Sequence, residues 1–281
     1  MAKDYLLSNI KILIVALGFP AIAIAASVVL PQKSDWALVY RPAANLLVSG
    51  QSPYKVPNYV APPWLLVPLL PIAILPERIG RVIIFVASIV SYAYIAKKYG
   101  ANLFDVVAII VSYPVVYGLI YGQIDWLVMF GLVVPPWLAV ILLMAKPQIG
   151  IGVTVFIAYE AWKAGGARKL AITFAPLVVL VAISFAAFGT AMFTKSSIVL
   201  TPTNTSLWPR SIPIGLVILL EALKRKEKVK AMMASPFLSP YMPAHSWVAA
   251  IVGLSGNSLY TIVASVTSWL VWVLGGGAVN G

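Results

Sequence analysis

Few side chains in this chain can do chemistry, because only eight acids and one histidine stand among 281 residues. Asp4, Glu160, Glu221 and Glu227 fall at or near ends of apolar runs, and Glu77 and Asp105 flank two further runs. Asp35 and Asp125 are different. Asp35 opens a long polar interruption, and Asp125 follows Tyr121-Gly122-Gln123 between two apolar runs. A carboxylate in such a place can take a proton from an attacking hydroxyl, or it can cap the helix behind it. Gln123 with Asp125 reads equally as a turn or as a pair of hydrogen-bonding groups for a ligand. His245, the lone histidine, follows Ser239-Pro240-Tyr241-Met242-Pro243 at a helix entry. By itself it reads as an amphipathic end-group. Lys146 lies in Ala145-Lys146-Pro147-Gln148. A lysine at mid-depth in a bilayer costs about 2.5 kcal/mol or more, so this one must snorkel or find an anion. Arg41, Lys55, Lys195 and Arg210 are further cations, each of which reads as a solvated loop charge or as a group able to hold a phosphate. No Asp-x-Asp, phosphate-loop motif or His/Cys metal set occurs, so neither a metal nor a nucleotide cofactor is expected.

These residues are set in a strongly apolar chain. Hydrophobic residues make up 61% and charged residues 10%, with a mean hydropathy of +0.96. Soluble domains carry about 25% charged residues. The apolar runs lack the alternation of barrel strands, so the expected class is an all-α polytopic integral membrane protein. A net charge of +12 would point to nucleic acid in a soluble protein. Here Lys and Arg gather at segment ends, as the loops on the cytoplasmic side require, and no nucleic-acid partner is expected. Cysteine is absent, so no disulfide forms.

The runs predict one integral domain, 1–281, with about ten or eleven hydrophobic segments. Ile10–Leu30 reads as a retained first helix whose N-terminus, with Lys3 and Lys11, is cytoplasmic. An outer loop, 31–61, carries an interfacial helix after Tyr40. Pro62–Leu75 is short for a span and either tilts or enters and returns. Pro135-Pro136 kinks one helix or separates two. Lys163, Arg168 and Lys169 mark an inner turn between Ile149–Trp162 and Leu170–Phe188. A second outer loop, 189–211, precedes Ile212–Leu223, and Lys224–Lys230 forms a basic cytoplasmic loop. Arg78 and Arg81 compete with Lys97-Lys98 for the inner side, so charge alone leaves 62–125 unoriented.

The order Asp35, Tyr40, a small-residue helix, Gly50-x-x-Pro53-Tyr54, then Pro62-Pro63 before an apolar run resembles the first outer loop of GT-C glycosyltransferases. It is most similar to glycosyltransferase family 87, the polyprenyl-phosphate-mannose-dependent mannosyltransferases. Tyr121–Asp125, Ala145–Gln148 and Ser239-Pro240-Tyr241 with His245 follow in the family's order, over most of the chain. The resemblance implies a GT-C-like helical bundle in the plasma membrane, with Lys97-Lys98 inside. A sugar, mannose by resemblance, would move from a polyprenyl-phosphate carrier to a lipid-linked or envelope acceptor on the outer face. Asp35 would be the catalytic base. Tyr40, Arg41, Tyr54, Gln123, Asp125, Lys146, Arg210, Tyr241 and His245 would bind substrates. An inverting transfer needs one base and no strong acid, because the departing lipid phosphate is already a good leaving group. Membrane lipids and the lipid-linked donor are the expected partners. The chain is short for this family, so the alternative is a catalytically inactive GT-C-like subunit of a larger membrane complex.

Overall fold

The computed structural model describes residues 30–31, 33–194 and 203–274. The expected first helix lies almost wholly outside these residues, as do Asp4, Lys195 and part of the 189–211 loop. Among the described residues the fold is helical, with a single β-bridge between Asn204 and Pro243. One apolar core runs from Trp36 to Val252.

A π-helical turn, Trp36–Tyr40, leads into α1, Arg41–Val48. The stretch Pro63–Ala73 breaks into short turns at its prolines, burying Leu65, Leu66 and Leu69. Its far end returns to Arg41, which donates to the carbonyls of Ala73 (3.1 Å) and Leu75 (3.2 Å). Pro62, which lines a cavity with Asp35 and Tyr40, and Leu75 thus lie at the same end, and the stretch does not cross the molecule. Helix α2, Glu77–Lys98, then runs to the opposite end. Glu77 in its first turn and Lys97-Lys98 in its last both complement the helix dipole.

The chain then shuttles between these two ends. Helix α3, Leu103–Val111, starts at a capping box between Asn102 and Asp105. It bends by 57° into α4, Tyr113–Tyr121, which returns to the α1 end. Helix α5, Asp125–Met129, descends, and α6, Pro136–Leu143, climbs back. Pro135-Pro136 thus separates two short helices in a hairpin whose turn lies at the far end. There Tyr99 donates to the Leu132 carbonyl at 2.7 Å, and Lys228 donates to those of Gly131 and Leu132 at 2.9 and 3.2 Å. Lys98, Lys228 and the 224–230 run share that end, opposite Asp35.

Helix α7, Pro147–Phe188, has 42 residues but is not straight. Gly165 and Gly166 leave helical geometry, and Gly166 takes φ +56°, which glycine adopts without a Cβ penalty. Gln148 and Leu177 line one cavity. In a straight helix 29 residues would separate them by roughly 43 Å. The helix therefore doubles back, and the expected inner turn lies at this glycine pair. Helix α8, Ile212–Arg225, and α9, Lys228–Leu238, form the next hairpin, followed by α10, Val248–Val252, and α11, Ser258–Leu274.

Among the described residues two helices, α2 and α7, are long and apolar enough to cross a membrane, or three if the bent α3–α4 pair counts as one span. The other passes are too short by themselves, because prolines and glycines interrupt them. Ile183, Val217, Leu220, Val271 and Leu274 are exposed on the outer faces of α7, α8 and α11. Such continuous apolar exposure fits a lipid surround.

Candidate functional site

Four segments far apart in sequence meet at the α1 end around a cavity of about 800 Å³. The first carries Asp35. Ser34 does the capping here, since its hydroxyl accepts from the Ala37 amide at 3.3 Å, while Asp35 makes no cap bond. The half-buried Asp35 carboxylate instead accepts from the side-chain amide of Gln123. The π-helical turn then sets Tyr40 into the cavity wall.

The second segment ends α4. Gly122 takes φ +66°, and an added Cβ there would collide with Arg81 and Trp36. Only glycine both turns the chain and fits this gap, so Gln123 and Asp125 are delivered to the cavity side. Behind the turn Arg81 caps α4 by donating to the Leu119 carbonyl at 3.1 Å and to that of Ile120.

The third segment is the α6–α7 junction. Pro147 keeps Lys146 out of helical geometry (φ −137°, ψ 84°) and starts α7 directly behind it. A cation at a helix N-terminus opposes the dipole, and Lys146 is 7% exposed. Asp125, 1% exposed, compensates: the ammonium lies 2.5 Å from Asp125 Oδ1. Lys146 also donates to Gln123 Oε1 at 3.2 Å and lies 5.7 Å from the centre of the Tyr40 ring. Burial opposes both charges, but the pairing prevails. Asp125, flanked by His245 and Lys146, stays well below the usual carboxylate range, and Lys146 is raised above the usual lysine value. Burial pushes the Tyr40 phenol up to about 12 despite the nearby ammonium, so its hydroxyl remains a donor to Gln123 Oε1 (3.2 Å).

The fourth segment is 239–247. It is tied down by 204–206: Asn204 donates to the Pro240 carbonyl (3.0 Å) and accepts from the Met242 amide (2.9 Å). Thr205 and Ser206 donate to the carbonyls of Met242 (2.6 Å) and Ser239 (2.5 Å). Pro243 then starts the turn Ala244–Trp247, which buries His245. His245 Nδ1 lies 2.5 Å from Asp125 Oδ2, and its ring stacks on Tyr117 at 6.3 Å. Ser246 Oγ reaches the same Nδ1 at 3.2 Å. Serine and aspartate on one ring nitrogen do not make a Ser-His-Asp relay, which needs them on opposite nitrogens. Asp125 fixes the proton on Nδ1 and leaves Nε2 without a partner among the described residues. His245 is part of the cavity wall.

The fold thus gathers Asp35, Tyr40, Gln123, Lys146, Tyr241 and His245 on one wall and puts Asp125 immediately behind them. Three expected ligands fall elsewhere. Arg41 is consumed by the Ala73 and Leu75 carbonyls. Tyr54 is buried, donates to the Ala61 carbonyl at 3.2 Å and packs on Tyr59 and Phe188. Arg210 is exposed in the turn before α8 and does not line the cavity. Asp125 also differs from its expected part, because both its oxygens are occupied by protein groups. Tyr117, Thr205 and the α7 residues Leu177 and Val181 also line the cavity, and nothing in their sequence neighbourhoods singled them out; Trp64, directly after the Pro62-Pro63 pair, lies there too. Leu177 and Val181 come from the returning arm of α7, one of the faces otherwise exposed to the surroundings.

No group of three or more metal-ligating side chains occurs among the described residues. The cavity pairs a polar wall with an apolar one, a form suited to an amphipathic ligand. No protein-family model, curated protein or solved structure matches this chain.

Proposed function

We propose that this chain is a multi-pass membrane glycosyltransferase with a GT-C-like bundle, whose cavity takes a sugar from a polyprenyl-phosphate carrier. The observation that carries the reading is the meeting of Asp35, Lys146 and His245, from three distant segments, beside apolar residues of α7. Asp35 is the half-buried carboxylate of the cavity wall, and it acts as the base. The acceptor hydroxyl gives its proton to Asp35 while its oxygen bonds to the anomeric carbon. The bond from that carbon to the lipid phosphate breaks, and the phosphate leaves with the electron pair. The Lys146 ammonium faces the departing anion, His245 lines the cavity beside it, and Leu177, Val181 and Trp64 hold the first part of the lipid. Mannose is the proposed sugar and an envelope or lipid-linked molecule the acceptor. The site end is the outer face of the plasma membrane, and the basic end, with Lys98 and Lys228, is cytoplasmic.

A second reading has one observation in its favour. Lys146 and Asp125 satisfy each other inside the protein, as a network that only holds helices together would. On that reading the chain is a structural subunit of a membrane complex. A photoactivatable polyprenyl-phosphate, cross-linked in native membranes and mapped by mass spectrometry, separates the two. Attachment within 144–148, 177–181 or 241–245 is the expected result. Attachment spread over the exposed faces of α8 and α11, with none in the cavity, would remove the enzyme reading.

A further inference from the structure

Gln123 sits between the two carboxylates of the site, and its amide has a polarity that its neighbours dictate. On one side stand Lys146 Nζ and the Tyr40 hydroxyl, each 3.2 Å from Oε1. An ammonium has three donors and no acceptor, so it tolerates only an oxygen opposite it. On the other side Asp35 Oδ2 faces the amide nitrogen. An ionised carboxylate only accepts, so it requires a donor. Turning the amide over would set N–H against ammonium and oxygen against carboxylate, two repulsive contacts at once. Each end enforces the same orientation. Lys146 is held in its turn by Asp125, buried and saturated by Lys146, His245 and Ser246.

We propose that Gln123 is a positioning residue that carries the fixed polarity of the Asp125–Lys146 pair to Asp35. It holds one Asp35 oxygen and leaves the other for the acceptor hydroxyl. Gln123 is 5% exposed and uses both ends of its amide on protein groups, so it is no substrate ligand. The kinetic part of this assignment rests on Asp35 being the base, whereas the polarity relay itself does not.

Two measurements test it. The first is a thermal-unfolding cycle in detergent at pH 8 with wild type, D35N, Q123E and Q123E/D35N. The carboxylate that Q123E introduces still accepts from Lys146 and Tyr40 but opposes Asp35, and like charges in contact are unfavourable. In the double variant the D35N side chain instead offers an amide donor to that carboxylate. D35N is therefore expected to raise the midpoint of Q123E by about 2–4 °C, a shift of the size one such contact gives, and not to raise that of the wild type. No rescue, or an equal effect of D35N in both backgrounds, overturns the relay. The second is transfer kinetics of Q123L with a polyprenyl-phosphate-mannose donor. A misplaced base is expected to lower kcat by about 10²-fold while KM for the donor stays within about twofold. A raised KM with kcat retained would make Gln123 a substrate ligand and overturn the assignment. Rescue in the cycle without any transfer by the wild type would refute the glycosyltransferase reading and leave the relay standing.

Discussion

The Asp125–Lys146 pair is the most severe test of the geometry, because its two members are 1% and 7% exposed. At 2.5 Å two unit charges attract by about 7 kcal/mol in an effective dielectric near 20. That gain is set against several kcal/mol of lost hydration for each ion, so the intact pair contributes little net stability. Losing one member is another matter. Lys146→Met strips Asp125 of its cation and leaves a buried carboxylate with only His245 and Ser246 beside it. Breaking a buried pair in this way costs about 3–5 kcal/mol. Because His245 and Ser246 still hydrogen-bond the carboxylate, the lower end of that range is expected. Asp125→Asn is expected to cost a similar amount, since Lys146 keeps only Gln123 and the Tyr40 ring. The double variant K146M/D125N leaves no orphaned charge, so its loss should fall well short of the sum. Equilibrium unfolding in mixed micelles, run as a double-mutant cycle, reads all four states. Single losses below about 1 kcal/mol, or additive losses, would show that the two groups do not form a buried pair and would remove the framework from which Gln123 and His245 are placed.

Further outcomes follow from packing, charge and topology. An added Cβ at Gly152 would strike the Ala231 carbonyl, so Gly152→Ala should push α7 and α9 apart and destabilise the fold by about 1–3 kcal/mol in the same unfolding assay. Burial, reinforced by the like charge of Lys98, brings Lys228 down to about 8 from the ordinary lysine value. Between about pH 8 and 10 the unfolded chain then binds the proton that the folded chain has released. The wild type should gain stability relative to Lys228→Met as the pH rises through that window, read from midpoints at each pH. The chain has no native cysteine, so single substitutions report sidedness cleanly. Asn58→Cys, on the cavity rim, should react with an impermeant maleimide in intact cells, and Lys226→Cys only after permeabilisation.

The residues that interrupt apolar runs are legible in the sequence as a set, because a polar group in such surroundings must find a partner. Asp35, Gln123, Asp125, Lys146 and His245 do meet at one place. Their division of labour is not legible. Spacing along the chain cannot tell that Asp125 lies behind the wall with both oxygens occupied, or that Gln123 bridges to Asp35, since these contacts span 21 to 120 residues. Arg41 reads as a ligand in the sequence because a guanidinium beside a tyrosine gives no sign that two carbonyls, 32 and 34 positions on, will consume it. The helical class and the turn near Lys163–Lys169 follow from hydropathy and charge. The count of spanning segments does not follow, because a proline-broken run of eight residues is as apolar as a full span and differs only in how far its helix continues.

Asp35 is proposed to activate an acceptor toward a lipid-phosphate-linked sugar. Transfer of radiolabelled mannose from polyprenyl-phosphate-mannose should be measured in membranes carrying the wild type or Asp35→Asn at matched, folded amounts. Incorporation by the wild type that D35N loses by at least about 10²-fold is the expected result. Equal incorporation by both proteins would contradict the role of Asp35, and no incorporation by either would contradict the proposed reaction.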